Sequence, residues 1–178
     1  VKPRLIIISD IHGLDGWLDR YISQLNQHYE IEVYDSRHLA GISSQLDEDA
    51  AHRHFVNGGI SKAVNHLMAK DRESTDVLAF SIGGTIAWKA ALAGLRLRNL
   101  WAVSSTRLRI ETKVPATHVN LYYGSDDPYA PELNWFHDKG VYYQFLQDKD
   151  HLVYKEIDFT ADLSEKIISS IKQLPMSS

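Results

Sequence analysis

The sequence predicts an α/β fold: a parallel six-stranded sheet with helices on both faces. Three observations carry that prediction. Short β-branched or aromatic runs alternate with stretches of helical spacing along the whole chain. The first run, Arg4 to Ser9, is apolar through its middle and does not alternate, so it suits a central strand buried on both sides. The third is Val77-Leu78-Ala79-Phe80-Ser81-Ile82-Gly83-Gly84-Thr85, which reads as a buried strand passing through a sharp turn into a helix.

Taken in order, Asp10 to Gly16 is a glycine-containing loop, after which Trp17, Leu18, Tyr21, Ile22 and Leu25 recur at helical spacing as far as about Tyr29. Ile31 to Tyr34 is a second short strand, and Asp35 to Asp49 is polar and reads as a long irregular loop. Phe55, Ile60, Val64, Leu67 and Met68 mark a helix from Ala50 to roughly Ala69, with a break expected near Gly58 in Asn57-Gly58-Gly59. Val77 to Phe80 is the next strand, and the Ala-rich helix after Ser81 ends near Gly94, a suitable residue to follow a helix C-cap. Leu100 to Val103, His118 to Tyr123 and Val141 to Leu146 complete the strands. Glu132 to Asp138 is a short helix, Asp148 to Tyr154 a loop, and Leu163, Ile167, Ile168 and Ile171 mark a closing helix.

With 178 residues and 44% hydrophobic composition the chain is expected to form one domain, residues 1 to 178, around one sizeable core. A net charge of −4 without a run of Lys and Arg argues against a nucleic-acid partner. The absence of Cys rules out disulfides, thiolate metal sites and a cysteine nucleophile. Leu5 to Ile8 is too short for a signal segment or a membrane span and is closed at once by Asp10 and His12, so a soluble cytoplasmic protein with no membrane partner is expected. Val at position 1 is consistent with an initiator or leader that precedes this sequence.

The turn at Ser81 thrusts a hydroxyl above the carboxyl end of the sheet, at the amino end of a helix whose free N–H groups favour a developing anion. A serine nucleophile needs a base within hydrogen-bond reach and a third group to orient that base. In a parallel sheet the loops after successive strands converge on one edge, and two of them carry Asp126 with Asp127, and His151. Read singly, Ser81 could be only a helix N-cap, Asp126-Asp127-Pro128 only a turn and His151 only a solvated loop histidine.

Together, Ser81-Ile82-Gly83-Gly84, Gly124-Ser125-Asp126-Asp127-Pro128-Tyr129-Ala130-Pro131 and Asp150-His151-Leu152 resemble the α/β-hydrolase superfamily, in the chain order Ser, Asp, His. One departure is Ala79, which stands where the G-x-S-x-G elbow has its first glycine. The resemblance implies a serine hydrolase acting on an ester, thioester or amide of a small or accessible acyl group, with no cofactor and a small-molecule acyl substrate as its partner. It assigns Ser81 as nucleophile, His151 as base and Asp127 as the acid, with Asp126 the substitute. Ile11 to Trp17 resembles the family's His-Gly loop, which implies that the N–H groups of Leu14 and Ile82 form the oxyanion hole and that His12 is structural. Only Ser104 to Pro115 separates two strands where lids of this superfamily are inserted, so an uncapped, open site is expected. Arg107 and Arg109 lie in that connection and would attract anionic acyl substrates, unless they form a solvated charged loop.

Two other readings compete. A catalytically silent hydrolase fold would serve as a binding module, an option that Ala79 keeps open. Ile8-Ser9-Asp10-Ile11-His12-Gly13 also resembles the first metal motif of calcineurin-like metallophosphoesterases, but the further Asp, Asn and His motifs that such a site needs are missing, so no metal is expected. His52 and His54, two apart on a helix, are expected on a solvated face.

Overall fold

The computed structural model describes residues 1 to 171. Its six strands are β1 (Arg4–Ile8), β2 (Glu30–Tyr34), β3 (Thr75–Phe80), β4 (Leu97–Val103), β5 (His118–Gly124) and β6 (Tyr142–Leu146). They form one sheet in the order β2-β1-β3-β4-β5-β6, with every neighbouring pair parallel.

Because successive strand side chains point to opposite faces, the apolar runs feed two cores at once. Ile6, Ile8, Val77, Ala79, Leu100, Ala102 and Leu121 face one side, where they pack against residues of α2 (Ser36–Ala40), α4 (Ile60–Lys70), α5 (Ile82–Leu92) and α6 (Leu133–Lys139). Leu5, Ile7, Leu78, Phe80, Trp101, Val103 and Tyr122 face the other, against α1 (Leu18–Leu25) and α7 (Ile157–Ile171). The helices on that second side bury one stripe each: Leu18, Tyr21 and Leu25 in α1, and Phe159, Leu163 and Ile167 in α7. Helix α5 is different, being buried from Ile82 through Trp88, because it lies between the sheet and α4.

The stretch between β2 and β3 holds more structure than its composition suggests. Asp35 caps α2 by accepting from the N–H groups of Arg37 at 2.8 Å and His38 at 3.2 Å, and Gly41 ends it in the left-handed conformation at φ +67°. Five residues are too few to show a helical period, so the sequence reads as an irregular loop. Asp47 then caps α3 (Glu48–His54) by accepting from Ala50 N–H at 2.7 Å. The expected break follows at Phe55–Gly59, where Gly58 has φ +109°, and α4 resumes at Ile60.

Strands β3 and β4 also start before their apolar runs, at Thr75 and Leu97. The reason is that Asp76 is buried yet fully partnered, accepting from Tyr29 Oη–H, Arg98 Nε–H and Asn99 Nδ2–H. The loop expected before the closing helix contains a short 3₁₀ turn at His151–Lys155.

Between β1 and β3 the chain reverses its direction across the sheet, since β1 leads outward to β2 and β3 leads the other way to β4. The loops after β1 and β3 therefore diverge and leave a crevice at the carboxyl edge, the usual place for a ligand in an open parallel sheet.

Candidate active site

Ser81 sits in that crevice between β3 and α5 with φ +52° and ψ −121°, a conformation that few L residues adopt. The turn is possible because Ile82 is followed by two glycines. A Cβ on Gly83 would strike the carbonyl oxygens of Ile8 and Ser9, and one on Gly84 would strike the side chain of Ser105. Ala79, by contrast, fits within β3 between Ile8 and Ala102 of the flanking strands and is fully buried, so the elbow closes without a glycine there.

From Ser81 the side chains run in series. Ser81 Oγ lies 3.0 Å from His151 Nε2, and His151 Nδ1 lies 2.9 Å from Asp127 Oδ2. The Asp127 side chain is fully buried and its other oxygen accepts from Tyr129 N–H at 2.9 Å, so both carboxylate oxygens are engaged. Asp126 is exposed and reaches only Ser125 Oγ, at 3.4 Å, so of the two acids it is Asp127 that meets the imidazole.

The loops carrying acid and imidazole are stitched together. Ser125 N–H donates to Leu146 O at 2.8 Å, Asp126 N–H to Lys149 O at 2.9 Å, and Asp148 N–H to Ser125 Oγ at 2.9 Å. A Cβ on Gly124 would collide with the backbone carbonyl of Lys149, so this close approach needs glycine. Asp150 accepts from Leu152 N–H at 2.8 Å and starts the 3₁₀ turn that presents His151. Tyr129 stands edge-on to the His151 ring at 5.2 Å.

Asp10, fully buried at the end of β1, fastens the facing loop. It accepts from His12 N–H at 3.0 Å and from the Tyr154 hydroxyl at 3.0 Å, which ties the β1 loop to the turn that holds His151. Burial, and then the charge of Asp10 beside it, push the Tyr154 phenol well above its ordinary pKa, so it stays a neutral donor. Among the described residues, no three His, Cys, Asp or Glu side chains are grouped so as to hold a metal ion.

A cavity of about 400 Å³ opens over Ser81. It is lined by Ser81, Ile82, His151, Tyr154 and Lys155 from the elbow and the His151 turn, by Thr106, Arg107, Arg109, Tyr129 and Leu152 around its rim, and by Ile11, His12, Glu48 and His52. Leu14 is 57% exposed and does not line the cavity, whereas Ile11, three residues earlier, does. Asp10 holds the loop by the backbone of His12 and so turns Leu14 outward past Gly13, which has φ +84°. Among the described residues neither Ile11 N–H nor Ile82 N–H has a hydrogen-bond acceptor.

His52 is exposed, as expected of a solvated face, and stands at the cavity wall together with Glu48 on α3, and Glu48 lies 3.4 Å from His12 Nε2. The connection between β4 and β5, where a lid was not expected, contains only a short 3₁₀ turn at Leu108–Ile110. One wall of the site therefore comes from the β2–β3 connection, which no local signal in the sequence marked.

This architecture has known counterparts. No family model matches the chain, and no curated protein matches it in sequence. Solved structures do. A Xanthomonas campestris pv. campestris protein, provisionally described as a hydrolase of the alpha/beta superfamily, is 14% identical over 97% of this chain and 100% of its own, with a TM-score of 0.71. A dienelactone hydrolase-like promiscuous phosphotriesterase from metagenomic libraries is also 14% identical, over 97% of this chain and 87% of its own, again with a TM-score of 0.71. A Nitrososphaera gargenis structure described with carboxylesterase activity profiles is 12% identical over 96% of this chain and 91% of its own, at 0.63. The chain has the α/β-hydrolase fold.

Proposed function

We propose that the chain is a serine hydrolase that cleaves esters or thioesters of small acyl groups through Ser81, His151 and Asp127. The observation that carries this reading is the hydrogen-bonded series from Ser81 Oγ through His151 to the buried Asp127, opening into a cavity from a strained elbow. The solved structures of the same fold that are described as hydrolases and carboxylesterases support it.

In the first half-reaction Ser81 Oγ attacks the acyl carbon while His151 Nε2 takes the hydroxyl proton. Asp127 accepts from His151 Nδ1–H, fixes the tautomer with Nε2 free, and stabilises the imidazolium that forms. The N–H groups of Ile82 and Ile11, rather than Leu14, hold the oxyanion of the tetrahedral intermediate, both residues lying on the cavity wall. Collapse of the intermediate breaks the bond to the alcohol or thiol, which leaves with the proton from His151. Water then adds to the acyl-Ser81 ester, gives its proton to His151, and releases the acid as Ser81 recovers its hydrogen. The steps require neither metal nor cofactor.

The half-exposed Tyr129 and Leu152 at the rim offer apolar surface for the acyl or leaving group. Labelling by a fluorophosphonate probe tests the reading: Ser81 is expected to become covalently modified in the wild type and not in Ser81→Ala. Failure of the folded wild-type protein to react would reject it in favour of a binding module on the same fold, and equal labelling of both would reject Ser81 as the nucleophile.

A further inference from the structure

We infer that Arg107 and Arg109 form an oxyanion-binding subsite in the cavity, so that the preferred substrate is an ester carrying a carboxylate or phosphate group. The word substrate rests on the hydrolase reading above, whereas anion binding itself does not.

The first observation is how the charges in the cavity are paired. Its acidic wall residue, Glu48, faces His12, and Lys155 lies 3.9 Å from buried Asp10. Glu111, the acid nearest the two arginines in sequence, is held by Lys89 at 2.6 Å. Among the described residues neither Arg107 nor Arg109 has a carboxylate partner, and Arg109 makes only a 3.5 Å contact with the carbonyl of Tyr129. Two guanidinium groups thus line a cavity whose one acidic lining residue, Glu48, faces His12 instead. Arginine presents its N–H donors in a planar fork that suits a carboxylate or phosphate oxygen pair.

The second observation is how firmly Arg107 is placed. The segment that leads to it is pinned at each residue: Ser104 N–H donates to Tyr122 O at 2.8 Å, the Tyr123 hydroxyl to Ser105 O at 2.8 Å, and Thr85 Oγ1–H to Thr106 O at 2.5 Å. Leu108 on the far side is fully buried. Between these anchors Arg107 adopts φ +64°, a left-handed conformation that glycine or asparagine would take at lower cost. A loop selected only to turn and to be solvated has no need of arginine there. Strained, over-determined residues of this kind are found at ligand clamps, and a pre-positioned side chain loses less entropy when it binds.

The experiment compares matched esters. p-Nitrophenyl hemisuccinate against p-nitrophenyl butyrate places the charge on the acyl side, and 4-acetoxybenzoate against its methyl ester places it on the leaving side. At low salt the wild type is expected to favour at least one anionic ester over its neutral partner by about tenfold in kcat/KM, the scale of one charge-assisted hydrogen bond. High salt should shrink that preference, and Arg107→Gly/Arg109→Gln should bring the ratio to within about twofold of unity. Glycine is chosen at 107 because it accepts the left-handed backbone. Calorimetric titration with succinate and with methyl phosphate provides a readout without turnover, and the tighter of the two identifies the anion.

Hydrolysis of neutral esters with no charge preference and no binding of either anion would overturn the subsite while leaving the hydrolase reading intact. The same holds if the preference survives in the folded double variant. Arginine-dependent anion binding in a protein that hydrolyses none of the esters would keep the subsite and reject the hydrolase reading.

Discussion

Two buried polar clusters lie at opposite ends of the same strands, and they differ in how much they leave unsatisfied. At the amino edge Asp76 accepts from Tyr29, Arg98 and Asn99, and Arg4 bridges Asp71 at 2.6 Å. Those acids are as buried as Asp127 and, like it, have both oxygens engaged, and their backbone is ordinary extended strand or loop. At the carboxyl edge Ser81 and His151 face a cavity. All four non-glycine residues with positive φ among the described residues, namely Ser81, Ser104, Arg107 and Asp148, lie in loops that follow β3, β4 and β6 there. Burial of polar groups therefore does not mark the site. What marks it is strain and open hydrogen-bonding capacity together, whereas a closed, saturated cluster holds strands in register.

The largest effect that would sharpen this contrast is at Ser81. Ser81→Ala is expected to lower turnover of an activated ester by on the order of 10⁶, as in the serine-protease precedent. Its denaturant midpoint should hold or rise, because strain is not matched by lost packing. A variant that kept turnover would move chemistry away from the elbow.

Next is the acid. Asp127→Asn should lower turnover by roughly 10⁴ by letting His151 take the wrong tautomer, while Asp126→Asn should cost little. Measuring both under identical conditions decides the assignment, and a larger loss at Asp126 would reverse it.

The amino edge should respond in the opposite currency, stability. Asp76→Ala removes the shared acceptor of three donors and is expected to destabilise the fold by about 3 kcal/mol, or roughly 6–12 °C in Tm. Turnover per folded molecule should be unchanged. A loss of specific activity with an unchanged Tm would erase the distinction between the two edges.

The smallest effect is an alkaline one. Burial first, then the neighbouring Asp76, raise the Tyr29 phenol above its ordinary pKa of 10.0. Below pH 10 the phenol is protonated whether the chain is folded or not, so the stabilisation is complete there. Above pH 10 the unfolded chain gives up that proton first, and stability falls as pH rises toward the folded value. Denaturant midpoints measured from pH 8 to 11 in the wild type and in Tyr29→Phe should diverge above pH 10, with the wild type losing more.

Much of the fold is legible in the sequence because strand and helix periods are local properties. The runs at Leu5–Ile8, Val77–Phe80 and Leu100–Val103 become three of the four interior strands, and Gly58 breaks its helix where expected. Ser81, Asp127 and His151 are legible for a similar reason, as each sits in a turn whose chemistry is written in adjacent residues: two glycines after Ser81, Pro128 after Asp127, and the Asp150 cap before His151.

The tertiary structure alone decided which residues line the cavity. Ile11 lines the cavity and Leu14 does not, and the β1 loop that carries both is held by Asp10, whose partner Tyr154 lies 144 residues away. Glu48 and His52 join the wall because α3 is carried there by Asp47, Gly41 and the packing of α2 on α4, none of which alters the local pattern around either residue. A sequence records periodicity and turn chemistry over a few residues, whereas the lining of a site at a sheet edge depends on the meeting of loops that are far apart in the chain.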